Sequence, residues 1–293
     1  MTRHGTTVSP WMLAVGAMFS VQLASALAVP MVEEIGGPGT AWLRLTLGGL
    51  VFLLIGRPPL RALRRRDVPA VLALGVATAV MMIAFLSAIA RIPLGTTVAI
   101  EFLGPLTVAA VRSPHRRALA WPALALAGVV LMTEPWHGHV DLTGVALAAT
   151  AGAGWGCYIL LTQHVGDRLT GIGSLSLTVP VAALAAAVIG VPQAAGQVTA
   201  GLLLQAAVLA LFMPVLPFVL ELLALRRMTH TAFGTLMALE PAIGLGYGAF
   251  LLEQEPSAGQ LVGITLVVVA GAASQRGGRR DSGAPTLGDL QPA

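Results

Sequence analysis

The sequence predicts an all-α integral membrane protein, with ten transmembrane helices arranged as two inverted five-helix repeats. Three observations predict it. Hydrophobic residues make up 56% of the 293 and charged residues only 10%, whereas soluble domains hold about 25% charged residues. Apolar runs of about 20 residues, long enough to cross a hydrocarbon core, recur along the whole chain, and mean hydropathy is +0.83. The basic residues alternate between joins, so that they collect on one side of a membrane.

The segment 1–30, which holds the first helix, 11–30, has a short basic start, an apolar core with Gln22 in it, and Ala26-Leu27-Ala28 near its end. Those features also fit a secretory signal peptide, but removing them would leave nine helices and spoil the alternation of arginines. The second helix, 38–55, holds Arg44 and is followed by "GRPPLRALRRRD". The third is placed at 68–90. The fourth, 94–111, is "LGTTVAIEFLGPLTVAAV", apolar apart from Glu101 one turn before Pro105. "RSPHRR" then leads to the fifth helix, 118–134, whose Glu134 reads as an interface residue.

The sixth helix, 142–165, contains "GAGWGCY", in which Gly152 and Gly156 have the small-xxx-small spacing of close helix contact. A phosphate-binding glycine loop does not fit glycines inside an apolar span. Trp155 and Tyr158 fall mid-helix, where they either line a cavity and meet an ammonium group or pack in the core. The seventh helix is placed at 171–190. The eighth, 200–225, carries "FMPVLPF", with Pro214 and Pro217 as kink candidates, and then Glu221 one turn before Arg226. A snorkelling pair at the boundary is the simplest reading of Glu221; a kink turning it toward a cavity is the other. The ninth, 231–252, repeats the acid-and-breaker pattern of the fourth as Glu240-Pro241, with Gly244 and Gly248 following, and the tenth is 257–275. The tail, 276–293, has too little apolar surface to pack and reads as disordered.

With residues 1–10 on the cytoplasmic side, the inner segments hold Arg3, Arg57, Arg61, Arg64, Arg65, Arg66, Arg112, Arg116, Arg117, Arg168, Arg226, Arg227, Arg276, Arg279 and Arg280. The outer loops hold Arg91 alone, and Arg44 lies within a span. The pI near 10.5 is therefore a topology signal rather than a mark of nucleic-acid binding, and the tail also lies inside. All 17 basic residues are arginine, which we read as genomic base-composition bias. Cys157 is the one cysteine, which excludes an internal disulfide or a cysteine metal cluster. "HGHVD", with His137, His139 and Asp141, lacks a fourth ligand and reads as a loop. No phosphate-binding nucleotide motif, nucleophile elbow or catalytic triad spacing is present, so no cofactor, metal or ATP drive is expected.

Ionised groups within a membrane are functional suspects, because each costs about 2.5–3.5 kcal/mol on insertion scales. At about 1.5 Å per residue, Arg44 lies about 9 Å and Glu101 about 10 Å below the outer boundary, so they pair or share the outer end of a cavity. Glu240 lies deepest, about 13 Å in, where burial penalises the charged form and suits the carboxyl to carry a proton or meet an amino group. Pro241 and Pro105 each remove a backbone donor. That predicts accessible carbonyls near residue 237 and at Glu101.

The repeat appears in Pro105 and Pro241, 136 residues apart; the same offset carries Phe19 onto Trp155 and Gln22 onto Tyr158, while Gly128 meets Gly263 at 135. On this pattern Gln22 faces the aromatic pair. The halves are 11–134 and 142–275. Five helices is an odd number, so the second half enters the membrane from the opposite side, a design common in secondary transporters.

"RIPLGTTVAIEFLGPLTVAAV", "HVDLTGVALAATAGAGWGCYIL" and "RRMTHTAFGTLMALEPAIGLGYGAFLLEQEPSAGQLVGITLVVVAGA" resemble EamA-type members of the drug/metabolite transporter superfamily, and within it the threonine/homoserine exporters. The resemblance spans residues 10 to 275. It implies ten helices in two repeats, a bacterial cytoplasmic membrane, and amino-acid efflux linked to the proton motive force. The partners expected are then a small amino acid, a proton and the lipid bilayer, and no nucleic acid. An exporter of another metabolite or drug is the alternative within the class. A passive channel or an intramembrane enzyme are those outside it, the latter lacking a nucleophile or metal set within the spans.

Overall fold

The computed structural model describes residues 9–56, 67–113, 115–136, 140–165, 172–225, 227–228 and 230–276. Helices α1 (Pro10–Gly56), α2 (Val68–Ile89), α3 (Leu94–Val111), α4 (Ala120–Thr133), α5 (Leu142–Val165), α6 (Ile172–Ala194), α7 (Ala200–Ala210), α8 (Leu216–Leu225), α9 (His230–Met237), α10 (Glu240–Leu251) and α11 (Ala258–Arg276) follow in order, and the described residues contain no strand. Among them, seven helices are long and apolar enough to cross a membrane. Only helices satisfy every backbone group within a single segment in hydrocarbon, which is why runs this apolar fold so. Large side chains such as Leu54, Leu184, Val188 and Phe250 project outward, a belt suited to lipid rather than water.

The predicted bounds hold closely for α2, α3, α5 and α11, and differ elsewhere for physical reasons. The first two helices are one helical trace, Pro10–Gly56, that runs through Pro30 and Pro38 and leaves helical geometry only at Gly36 (φ 73°, ψ 164°). Proline's fixed φ is compatible with a helix, and without water its neighbours have no other partner to turn to. The positive φ, by contrast, is a conformation glycine adopts freely. Gly36 is also where the Gln193 side chain fits, and Gln193 Oε1 accepts from the Gly39 N–H at 3.3 Å. α6 runs on past Gly190 and through Pro192. A 3-10 turn, Arg116–Leu119, precedes α4.

The expected eighth helix is interrupted by a wider turn over Leu211–Val215, where Met213 is extended (φ −160°, ψ 114°) before Pro214. The expected ninth divides into α9 and α10 at residues 238–239, with the Leu239 N–H bonded to the Leu236 carbonyl at 2.9 Å.

Small residues let the backbones touch, as membrane helix packing requires. A Cβ on Gly104 of α3 would stand 1.9 Å from the Gly152 carbonyl oxygen of α5. A Cβ on Gly128 of α4 would stand 2.5 Å from the Gly263 carbonyl oxygen of α11, and one on Gly263 the same distance from that of Gly128. Core layers of alanine, leucine and methionine join α1 to α2, α6 and α7, and join α3 to α4, α5 and α11.

Candidate functional site

Two clusters of polar side chains lie in the interior, both beside residues 20–25 of α1. In the first, Gln22 Nε2 donates to Glu240 Oε1 at 3.3 Å. Gln22 is 1% exposed and Glu240 7%. Glu240 Oε2 and Gln22 Oε1 have no hydrogen-bond partner. Glu240 is in the first turn of α10 with Pro241 beside it, where backbone N–H groups have no helical acceptor and the helix dipole favours negative charge. Proline at a helix start removes a donor that had no helical partner. The expected carbonyl freed by Pro241 inside a helix is therefore corrected: the helix simply begins there. Gly244, one turn on, gives Gln22 Oε1 the room it occupies.

The second cluster surrounds a cavity of about 40 Å³ lined by Val21, Ser25, Arg44, Met81, Met82, Phe85, Glu101 and Met213. Arg44 is 1% exposed, Nη2 reaches the Met213 carbonyl at a long 3.5 Å, and Nε and Nη1 have no partner. Arg44 and Glu101 thus share a cavity, as the depths predicted, yet no ion pair joins them. α3 continues through Pro105. The Glu101 carbonyl lies against Gly152 of α5, so the predicted carbonyl meets a helix rather than the cavity.

The breaking proline that does present carbonyls inward is Pro214. Ser20 Oγ donates to the Phe212 carbonyl at 2.7 Å, and Arg44 takes that of Met213. Neither carbonyl nor Ser20 figured in the sequence reading. Main-chain oxygens carry no letter in a sequence, and the "FMPVLPF" prolines were the one signal that pointed there. Pro217 is buried within α8.

Glu240 lies within electrostatic reach of Glu101 and of Glu221 on α8, and Glu221 in turn of Tyr158. Tyr158 bonds to the Thr162 side chain. Trp155 packs edge-on against Phe102, with ring centres 6.2 Å apart, among partly buried apolar side chains of the α3–α5–α11 core. Gln22 faces Glu240, not Trp155 and Tyr158: residues matched by a repeat offset occupy equivalent places, which need not touch. The suggested pairing of Glu221 with Arg226 lies outside the described residues, as do His137 and His139.

Polar contacts also lie at the helix ends. Arg91 Nη1 meets Asp141 Oδ2 at 3.1 Å. The Gly144 N–H, bonded to Asp141 Oδ1 at 2.9 Å, together with Arg91, holds the Asp141 carboxyl below the usual carboxylate range. Ser257 Oγ donates to Glu134 Oε1, and Gln254 Oε1 accepts from the Leu94 N–H at 3.1 Å. Among the described residues no three His, Cys, Asp or Glu side chains gather as a metal site.

Comparison with known proteins adds to this geometry. Residues 142–273 match the EamA-like transporter family. The chain is 35% identical over 282 residues to the threonine/homoserine exporter RhtA of Salmonella typhimurium (strain SL1344), covering 93% of each protein. It is 34% identical over 281 residues to the RhtA of Escherichia coli (strain K12), again covering 93% of each. A crystal structure 18% identical in sequence superposes with a TM-score of 0.60 over 89% of this chain and 96% of its own, which speaks to the fold alone.

Proposed function

Because the chain belongs to the EamA-like transporter family, we propose that it exports small amino acids of the threonine and homoserine class across the bacterial cytoplasmic membrane, driven by the proton motive force. The observation that carries the substrate class is likeness to exporters of that name over 93% of the chain. The geometry supports a coupling mechanism. A buried carboxyl in hydrocarbon is tolerable when a proton or a cation neutralises it. Glu240, with one oxygen on Gln22 and the other without a partner, can hold a proton or a substrate ammonium but not both at once. Exchange of one for the other couples inward proton movement to outward movement of the amino acid. Tyr158 and Glu221 stand next along the same interior.

The same reading takes the protein as ten spans in two inverted halves, 11–134 and 142–275, with both termini in the cytoplasm. A straight helix of 47 residues would measure about 70 Å, over twice a hydrocarbon core of about 30 Å, so the break at Gly36 supports two crossings. The broken pairs α7–α8 and α9–α10 then form one crossing each. Gly128 and Gly263 are matched in sequence at an offset of 135 and meet each other, as equivalent residues do where an internal twofold axis passes. Interrupted helices at the site are a recurring transporter device, in which half-helix ends face the substrate.

Counterflow into proteoliposomes containing the purified full-length protein tests the proposal. Labelled threonine and homoserine should accumulate, faster with a pH gradient, ahead of a panel of other amino acids. Absence of any amino-acid movement overturns it.

A further inference from the structure

We propose that Arg44 is the residue that binds the substrate's α-carboxylate, so that the transporter reads its amino acid at two poles: carboxylate on Arg44, ammonium on Glu240 and Gln22. The inference rests on the amino-acid reading above and goes beyond it by assigning a subsite. Guanidinium is charged at every pH a cell meets and presents five donors in a planar fork. In Arg44 that group is 1% exposed, uses one donor in a 3.5 Å bond to the Met213 carbonyl, and leaves Nε and Nη1 without partners. A buried charge so poorly satisfied is costly, and the partner that matches its fork is a carboxylate, held through two parallel N–H···O bonds.

The surroundings admit such a partner. Arg44 borders the cavity of about 40 Å³ together with Glu101, Ser25 and three methionines, Met81, Met82 and Met213. That volume holds a few waters, each needing about 10–15 Å³, and is too small for an amino acid. Methionine is the most adaptable wall a cavity can have, and Met213 sits at the break between α7 and α8. Both can yield as the carboxylate enters. Glu101 lines the same cavity without closing an ion pair, which suits a residue that balances Arg44 between substrates and gives way to one.

The spacing of the poles also fits. Val21 and Ser25 face the cavity and Gln22 bonds to Glu240. Gln22 is one residue from Val21 and three from Ser25, so along α1 the two subsites are separated by less than one turn of about 5.4 Å. The two charged ends of an α-amino acid sit on one carbon, so neighbouring positions of a single helix can meet both.

The test is competition against labelled threonine in proteoliposomes, using unlabelled threonine and threoninamide, whose carboxylate is replaced by a neutral amide. In the wild type, threonine should compete roughly ten- to a hundredfold better, the range set by hydrogen bonds to a charged group. In Arg44→Gln that preference should collapse to about twofold or less while KM for threonine rises, and Arg44→Lys should recover part of it. Threoninamide competing as well as threonine in the wild type overturns the assignment, as does Arg44→Gln with an unchanged KM and preference. If Arg44→Gln does not yield folded protein by size-exclusion chromatography, the wild-type comparison decides alone. Wild-type protein that moves no amino acid sinks the proposed function and this subsite together; wild-type protein that moves threonine without preferring it to the amide sinks only the subsite.

Discussion

Around Glu101 the helix runs straight through its proline, and around Glu240 it stops for one. α3 keeps helical geometry from Leu94 to Val111 with Pro105 inside it, whereas Glu240-Pro241 opens α10 after a two-residue break. The acid is one turn ahead of the proline in the first case and adjacent in the second. That small shift decides what the acid can do. Glu101 is a side branch on an intact helix, half-buried beside a cavity. Glu240 is a terminal residue of a half-helix, amid N–H groups that favour an anion. The glycines differ in step: Gly104 of α3 has no room for a Cβ, while Gly246 of α10 has nothing within 4 Å. Glu101 is thus carried on a closely packed, unbroken helix, and Glu240 at the start of an interrupted one.

The largest expected effect breaks the closely packed side. Gly104→Val should abolish folded protein, because even a Cβ there meets the Gly152 carbonyl oxygen at 1.9 Å, while Gly246→Ala should leave yield unchanged. Fluorescence-detected size exclusion of both variants checks this; a well-folded Gly104→Val would show that the helices do not cross as described. Next comes transport. Glu240→Gln should reduce pH-gradient-driven threonine efflux to the level of protein-free vesicles, and Glu101→Gln should lower it less. Full gradient-driven efflux by Glu240→Gln would remove that residue from coupling.

A third pair concerns stability. A proline inside a helix costs about 3 kcal/mol, and one at the helix start costs little. Pro105→Ala should therefore raise the detergent-solubilised Tm, and Pro241→Ala should change it less; the reverse order would contradict the placement of the break. The smallest effect sets a reference outside the membrane. The Asp141 carboxyl is held low, first by the Gly144 N–H and then by Arg91, so its contribution is present above the unfolded carboxylate range and is lost as pH falls through the folded value. Asp141→Asn should lower Tm slightly at neutral pH, and the gap between variant and wild type should close in acid; a gap that widens in acid would reverse the sign.

Much of this architecture was legible in the sequence. The apolar runs at 94–111 and 142–165 are α3 and α5 with the same bounds, because in lipid the helix is the way a single mostly apolar segment satisfies its own backbone. The break at Gly36 was not legible: the first helix was placed to end at residue 30 and the second to begin at 38, yet the helix continues through Pro30 and Pro38 and breaks between those bounds, at Gly36. Within the site, Arg44, Glu101 and Glu240 stood out because a charge in an apolar run is conspicuous. Their partners did not. The Gln22–Glu240 bond spans 218 positions, and the oxygens that receive Ser20 and Arg44 belong to the main chain of Phe212 and Met213.

The meeting of Gly128 and Gly263 carries a consequence for how this protein can change over generations. Each residue's missing side chain is filled by the other's carbonyl oxygen. A bulkier replacement on one helix would call for a slimmer one opposite, and nothing is slimmer than glycine. No compensating step exists, so the pair can neither drift nor trade places with any other pair while α4 and α11 stay this close. A variant that enlarges either position must spread the two helices apart and repack the seam around them.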